Sequence, residues 1–574
     1  MLQTEGRKAD LIVINGRIAT QDKRDSIASA VAIREGRIMA VGSDSEILQY
    51  KSGDAKIVDL KGRTVIPGLN DSHTHVIRSG LSYNSELRWE GLTSLREGLR
   101  MIREQASRTP SPYWVKVVGG WSEFQFKERR MPTLEEINDA SPTTPVFVLH
   151  LYRAALLNKQ AIAAANYTKE TPDPVAGEIQ RDKEGNPTGM LVARPNATIL
   201  YSTLAKSPKL SYEGQMNSTR RFMTELNGLG ITSIIDAGGG FQNYPDDYAV
   251  IMELSRQNLL TVRMAYNLFT QRPNHELEDF TNWTRTVAPG SGNDFYRLNG
   301  AGEMLVYSGA DYEDFPEPRP ELPEAMEGEL TQVVSLLVQK RWPFRLHATY
   351  NESIERFLDV FEAVDEKTPF EGLKWCFDHA ETISSRNIER VRRLRGGIAI
   401  QDRLAFQGEY FIERYGEGAA RNSPPIVEMI RAGVPVGAGT DATRVASYNP
   451  WIALYWLVSG RTVGRTELHP PTNRLSRKEA LRLWTMGSAW FSGEQEKKGS
   501  IEVGKLADMV VLSRDYFTVP EEEIPEIGSV LTMVGGRVVF ASGDFAALAP
   551  PELPAILPEW SPVSSYGGYQ RTTG

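Results

Sequence analysis

Along most of the chain, short apolar runs alternate with amphipathic stretches of helical period. The runs lie at Val65–Val76, Ile231–Asp236, Val262–Phe269, Arg297–Tyr307, Pro343–Thr349, Leu373–Ala380, Gly397–Arg403 and Pro435–Thr443. Most have the length of a strand rather than a helix. Between most of them apolar residues recur every three or four positions, as in SIERFLDVFEAV (Ser353–Val364) and SRNIERVRRL (Ser385–Leu394), which is the stripe of a helix lying on a sheet. Alternation of this kind predicts a parallel sheet. Eight units predict an α/β fold closed as a (β/α)8 TIM-type barrel.

The two ends of the chain carry a different pattern. LIVINGRIATQ and AVAIREGRIMAVG near the start, and DMVVLS and SVLTMVGGRVVFAS near the finish, are apolar runs split at Asn15-Gly16, Glu35-Gly36 and Gly535-Gly536. X-Gly pairs between such runs are hairpin signals, and a lone hairpin is marginally stable. Residues 1–64 and 497–548 are therefore expected to build one β-sandwich, with a barrel from 65–80 and 211–496 inserted between them. Residues 81–210 are too many for a loop and contain strand patterns at Tyr113–Val118 and Pro145–His150. They predict an α/β insertion over the barrel mouth. The tail 549–574, rich in Pro, Gly and Ser, is either an arm on a neighbouring molecule or a frayed end.

Composition narrows the function classes. The 574 residues carry 65 Lys+Arg against 73 Asp+Glu, a net charge of −8, and no long basic run, which disfavours nucleic acid and anionic membranes as partners. No apolar run approaches the ~20 residues of a membrane helix, and the start lacks a signal-peptide core. One cysteine, Cys376, allows neither an internal disulfide nor a thiolate metal site. A cytoplasmic protein acting on a small molecule is expected.

Candidate chemistry sits at the ends of the expected barrel strands. In VIPGLNDSHTHV, His73 and His75 are two apart, so a strand aims both at one point. His347 ends the fifth strand, His379 the sixth and Asp441 the eighth. Barrel strand ends converge at one mouth, and four imidazoles with one carboxylate suit zinc, or iron, manganese or cobalt. Such a metal lowers the pKa of bound water to ~7 and polarises a carbonyl. Asp441 is placed as general base, and His379 as ligand or oxyanion-stabilising donor. His150, His275 and His469 fit no such pattern, and His275 and His469 read as surface residues. GSIEVGKL (Gly499–Leu506) lacks the Ser/Thr of a phosphate loop, and Gly238-Gly239-Gly240 lacks dinucleotide-binding spacing.

Taken together, LIVINGRIAT, PGLNDSHTHV, Gly119-Gly120-Trp121, MPTLEEIN, PVFVLH, GITSIIDAG, LHATYNESIERFLDVFEAV, FDHAETIS, GAGTDA and GSIEVGKLADMVVL resemble the amidohydrolase superfamily, in the branch that includes N-substituted formamide deformylase. The resemblance spans nearly the whole chain. It implies a metal-bearing barrel with a β-sandwich from both termini, hydrolysis of a C–N bond, usually an amide, and His73, His75, His347, His379 and Asp441 as ligands. Relatives are often dimers, so a homodimer is an open expectation.

Two departures from that pattern matter. Many relatives carry a metal-bridging lysine on the fourth strand, where this chain has Met304 beside Glu303. Strand alternation points Glu303 the other way unless a bulge intervenes. One ion, most readily zinc, is therefore favoured, with a pair bridged by Glu303 as the lesser reading. Relatives also commonly have Gly-His where this chain has Tyr152-Arg153. The guanidinium fork of Arg153 suits an anionic substrate group or an acidic neighbour in the chain. Trp121 is a candidate pocket wall or a core residue. Besides an amide hydrolase, two functions stay open: a superfamily deaminase, disfavoured because Tyr350 stands where a proton-shuttling Glu is usual, and a non-catalytic metal-binding regulator.

Overall fold

In the computed structural model, which describes residues 8–174, 177–194 and 196–570, all eight expected barrel strands form. They are β1 (Leu69–Thr74), β2 (Ile231–Asp236), β3 (Arg263–Leu268), β4 (Tyr296–Ala301), β5 (Phe344–Ala348), β6 (Trp375–His379), β7 (Gly397–Gln401) and β8 (Val436–Gly439). Each pairs with the next in parallel, in chain order. Ends meet just beyond the last strand, where Asp441 N–H donates to His73 O at 2.9 Å and His75 N–H to Ala442 O at 3.0 Å. Thr440 Oγ1 also donates to the buried Asp71 carboxylate at 2.6 Å. The strands are buried on both faces, which is why they read as near-continuous apolar runs. The covering helices follow their period: Asn351–Asp365 buries Ile354, Phe357, Leu358 and Phe361.

The termini meet in two facing sheets. Ala9–Ile14, Ala30–Arg34, Arg37–Gly42 and Lys51–Asp59 form one. Arg17–Ala19, Ile27–Ala28, Thr64–Pro67, Met509–Leu512, Ser529–Val534 and Arg537–Ala541 form the other. Val13, Val31 and Ile33 pack against Val65, Met509 and Leu531 between them. Hairpins turn at Glu35-Gly36 and Gly535-Gly536 as expected. Asn15-Gly16 does not make a hairpin: it carries the chain from one sheet to the other. A buried Arg263–Asp508 pair, at 2.8 and 3.0 Å, ties barrel to sandwich.

The run Val65–Val76, expected to be one strand, is two. Thr64–Pro67 pairs antiparallel with Met509–Leu512 in the sandwich, and the barrel begins at Leu69. Gly68 makes the junction at a contact that admits no side chain, because a Cβ there would lie 2.0 Å from Thr232 Oγ1. Gly68→Ala is expected to destabilise the fold by about 1–3 kcal/mol through overpacking, read as a lower midpoint of denaturant unfolding. An unchanged midpoint would show that the two sheets shift freely against each other.

Residues 81–210 contribute a six-stranded sheet with its own buried layer. The tail is described as far as residue 570. It packs on its own chain through Asn84 Nδ2 to Leu557 O at 2.8 Å, Gln105 Nε2 to Trp560 O at 2.8 Å and Gln570 N to Glu90 O at 2.9 Å. Among the described residues no helix is long and apolar enough to cross a membrane.

Candidate metal centre

At the C-terminal mouth of the barrel, His73 and His75 leave the end of β1 side by side, both buried. Asp441 comes from the turn after β8, His347 from β5 and His379 from the end of β6. Asp441 Oδ1 lies 3.0 Å from His75 Nε2 and 3.4 Å from His73 Nε2. His347 Nδ1 and His379 Nε2 are 2.9 Å apart. All five ligand candidates are thus brought together.

Glu303 joins them, contrary to strand alternation. β4 ends at Ala301, and the chain leaves strand geometry at Gly302 (φ +108), so the period-two rule no longer applies. Oε1 of Glu303 lies 3.6 Å from both His73 Nε2 and His75 Nε2, and Oε2 lies 3.0 Å from His347 Nδ1 and 3.2 Å from His379 Nε2. One oxygen faces each half of the cluster. Met304, the neighbour expected at the lysine position, is buried.

The donor set fits a divalent metal on its own geometry. Two donors each ~2.0–2.1 Å from a tetrahedral zinc are about 3.3 Å apart, and the separations above run from 2.9 to 3.6 Å. His75 Nδ1 lies 2.6 Å from the carbonyl oxygen of Gly238, which can only accept. In the neutral ring the proton therefore sits on Nδ1, and the Nε2 lone pair faces the Asp441 carboxylate. A cation between these two acceptors resolves the conflict. The buried Nε2 of His73 is likewise left without a hydrogen bond.

Electrostatics agree. Burial works against charge on His73, yet Asp378 and Glu303 outweigh it and hold the ring well above its ordinary value. Against the same burial, Glu303 pushes His347 up to about 9. Burial, with Arg403 and His347 nearby, pushes His379 down to about 3. Glu303 and Asp441 are held well below the usual carboxylate range, despite burial, by the imidazoles around them. The carboxylates favour positive charge beside them, which a metal bound there would supply.

Around these residues lies a supporting layer that the sequence reading missed. Asp378 Oδ1 is 2.9 Å from His73 Nδ1 and is itself clamped by Arg345, whose Nε is 2.7 Å from Oδ2. Arg403 is held by Glu313 at 2.5 Å and Glu381 at 2.7 Å, and its Nη1 lies 3.8 Å from Asp441. Asp378→Asn is expected to weaken metal binding about 10–100-fold by releasing the orientation of His73. Chelator competition measures this, and unchanged affinity would remove Asp378 from that role.

A cavity of about 430 Å³ opens onto the cluster, with His75, Glu303, His347 and Asp441 in its wall beside Arg78, Tyr152, Tyr201, Phe241 and Tyr312. Tyr152 lines this cavity. Arg153 is not a lining residue, and its guanidinium lies 5.2 Å from the Tyr410 ring. Trp121 belongs to the core: it is completely buried against Trp89 and Phe126 and bonded to Leu149 O at 3.0 Å. His275 is exposed, but His469 is buried, with Nε2 2.9 Å from Ser423 O and a pKa pushed down to about 4 by burial. The Gly238–Gly240 loop orients His75 and Arg78 through its carbonyls.

A parallel barrel with a nitrogen-and-oxygen cluster at its mouth is an arrangement able to hold a divalent metal. Residues 56–540 match the sequence model of the amidohydrolase family, and the chain belongs to that family. It is a hydrolase of carbon–nitrogen bonds other than peptide bonds. It is 27% identical to an N-substituted formamide deformylase of Arthrobacter pascens over 92% of this chain and 97% of that one. With the protein LONG AFTER FAR-RED 3 of Arabidopsis thaliana it shares 26% identity over 93% and 92%. The same fold occurs in an uncharacterized metal-dependent hydrolase from Pyrococcus furiosus, with TM-score 0.64 and 22% identity over 88% of this chain and 100% of that one.

Proposed function

We propose that this protein hydrolyses the amide-type C–N bond of a small N-acyl compound, with Asp441 as general base, at a centre of two adjacent divalent ions, most readily zinc. His73, His75 and Asp441 would hold one ion, His347 and His379 the other, with Glu303 between them. A divalent metal there supplies an attacking water acidic near neutral pH and polarises the scissile carbonyl. The observation that carries the reading is the division of the Glu303 oxygens between the two halves of the cluster, with Asp441 in the cavity wall. We favour it over the single ion expected from sequence because the two Glu303 oxygens face different halves of the cluster.

The chain's residues divide the remaining work. Asp378 and the Gly238 carbonyl fix the tautomers and orientation of His73 and His75. Asp441 takes the proton of the attacking water and passes it to the leaving nitrogen as the C–N bond breaks, giving a carboxylic acid and an amine. Arg403, anchored by two carboxylates, keeps the Asp441 carboxylate in place. A deaminase is not favoured, because Tyr350 is buried against Phe315 and Arg319 and offers no carboxylate to shuttle protons.

Zinc-loaded protein and a panel of N-formyl and N-acetyl amines test the reading. Release of acid and amine is expected. Ammonia from aminated rings would favour the deaminase, and a metal-loaded protein inert on both panels would favour a non-catalytic regulator.

A further inference from the structure

Among the described residues six arginines are buried: Arg78, Arg88, Arg263, Arg345, Arg390 and Arg403. Five are matched to carboxylates: Arg88 to Glu86 and Glu90, Arg263 to Asp508, Arg345 to Asp378, Arg390 to Asp359 and Glu362, and Arg403 to Glu313 and Glu381. Arg78 is the exception, with no ion pair among the described residues. Its hydrogen bonds go to neutral acceptors, the Tyr152 hydroxyl at 3.2 Å and the Gly240 carbonyl at 3.3 Å, and its buried Nε has no partner. It lies in the wall of the cavity that contains the metal cluster. A buried charge left without a counter-charge is unfavourable, so its retention here calls for one supplied from outside the chain.

The surroundings narrow what that is. Tyr201, over whose ring Arg78 lies at 5.2 Å, also lines the cavity, and its buried hydroxyl is unpartnered. A guanidinium and a phenol are donors to an oxyanion. Arg444, on the same ring at 4.3 Å, adds a second positive charge with no ion pair among the described residues. The anion would sit close to the reaction. Arg78 Nη1 and His75 Nδ1 are 2.8 and 3.2 Å from the point a Cβ at Gly239 would occupy, so glycine is needed for the two side chains to flank that loop. The carboxylate that acts on Arg78 electrostatically, Asp441, belongs to the cluster at the barrel mouth.

We infer that Arg78, with the Tyr201 hydroxyl, binds a carboxylate of the substrate, so that the preferred substrate is an N-acyl compound bearing a carboxylate near the scissile bond, as in an N-acyl amino acid. The inference rests on the hydrolase reading for the identity of the bond cleaved, and on the unpaired guanidinium for the charge. It assigns this role to Arg78 rather than to Arg153.

Matched substrates test it: N-formyl- and N-acetyl-phenylalanine against the same derivatives of phenethylamine, which differ only in the carboxylate. In the metal-loaded full-length protein the acids are expected to exceed the neutral amides in kcat/KM by about 10² or more, since sites built for a polar group reject analogues lacking it. Arg78→Gln is expected to bring that ratio near one, mainly through the KM of the acid, and Arg78→Lys to give an intermediate ratio. Equal kcat/KM for the matched substrates in the wild type, or equal losses on both in Arg78→Gln, would overturn the inference. Calorimetric titration with N-acetyl-phenylalanine reads binding without turnover. Binding by the wild type that Arg78→Gln loses supports the carboxylate site even if no amide is cleaved, an outcome that would sink the hydrolase reading alone. No binding by the wild type would sink the carboxylate site.

Discussion

Asp441→Asn is expected to fold, to retain metal and to lose about 10²–10⁴-fold in kcat, the range that a positioned general base contributes. The substitution keeps the size and shape of the side chain. It removes a carboxylate that faces His73, His75 and His379 and that lies in the wall of the cavity. An amide oxygen still faces the histidines, but it cannot take a proton from the attacking water. The loss should therefore fall on kcat with little change in KM, the mark of an interaction made in the transition state. A near-normal kcat with normal metal content would remove Asp441 from the base role and leave it as a ligand.

The second large effect is expected at Glu303. Its carboxylate touches all four histidines of the cluster. Removing one partner from a buried charged set costs about 3–5 kcal/mol, or about two to four powers of ten in affinity. Glu303→Ala should thus lose most of its metal at concentrations that saturate the wild type, and turnover with it. Met304→Ala is the contrast. It removes a buried apolar side chain and should lower stability by about 2–5 kcal/mol without a comparable change in metal affinity. Metal retained in Glu303→Ala would return the single-ion reading, with His73, His75 and Asp441 sufficient by themselves.

The barrel was legible in the chain because each strand is apolar along its length and several end in a polar residue at the mouth. His73, His347, His379 and Asp441 mark those ends directly. What the sequence hid had physical causes. The apolar run Val65–Val76 continues through Pro67-Gly68, and nothing in its pattern reveals that its two halves belong to different sheets. Asn15-Gly16 has hairpin chemistry, but the chain uses its left-handed residue (Asn15, φ +56) to change sheets. Glu303 defeated alternation because it lies two residues beyond the strand end. Asp378 stands next to His379 in FDH and was overshadowed by it, although a carboxylate at a buried strand end is itself a signal for a partner to a ligand histidine. Arg153 drew attention because it departed from the family pattern, whereas Arg78, three residues after His75 and on the helix that leaves it, has no linear signature. Its significance lies in the absence of a counter-charge, which only the packed structure reveals.

The central claim is that the residues at the barrel mouth hold divalent metal in two adjoining places. Crystallographic anomalous scattering at the zinc edge, on protein loaded with zinc and checked by elemental analysis, tests it most directly. Peaks are predicted between His73, His75, Asp441 and Glu303, and between Glu303, His347 and His379. Zinc-loaded crystals with no peak among these side chains would contradict it.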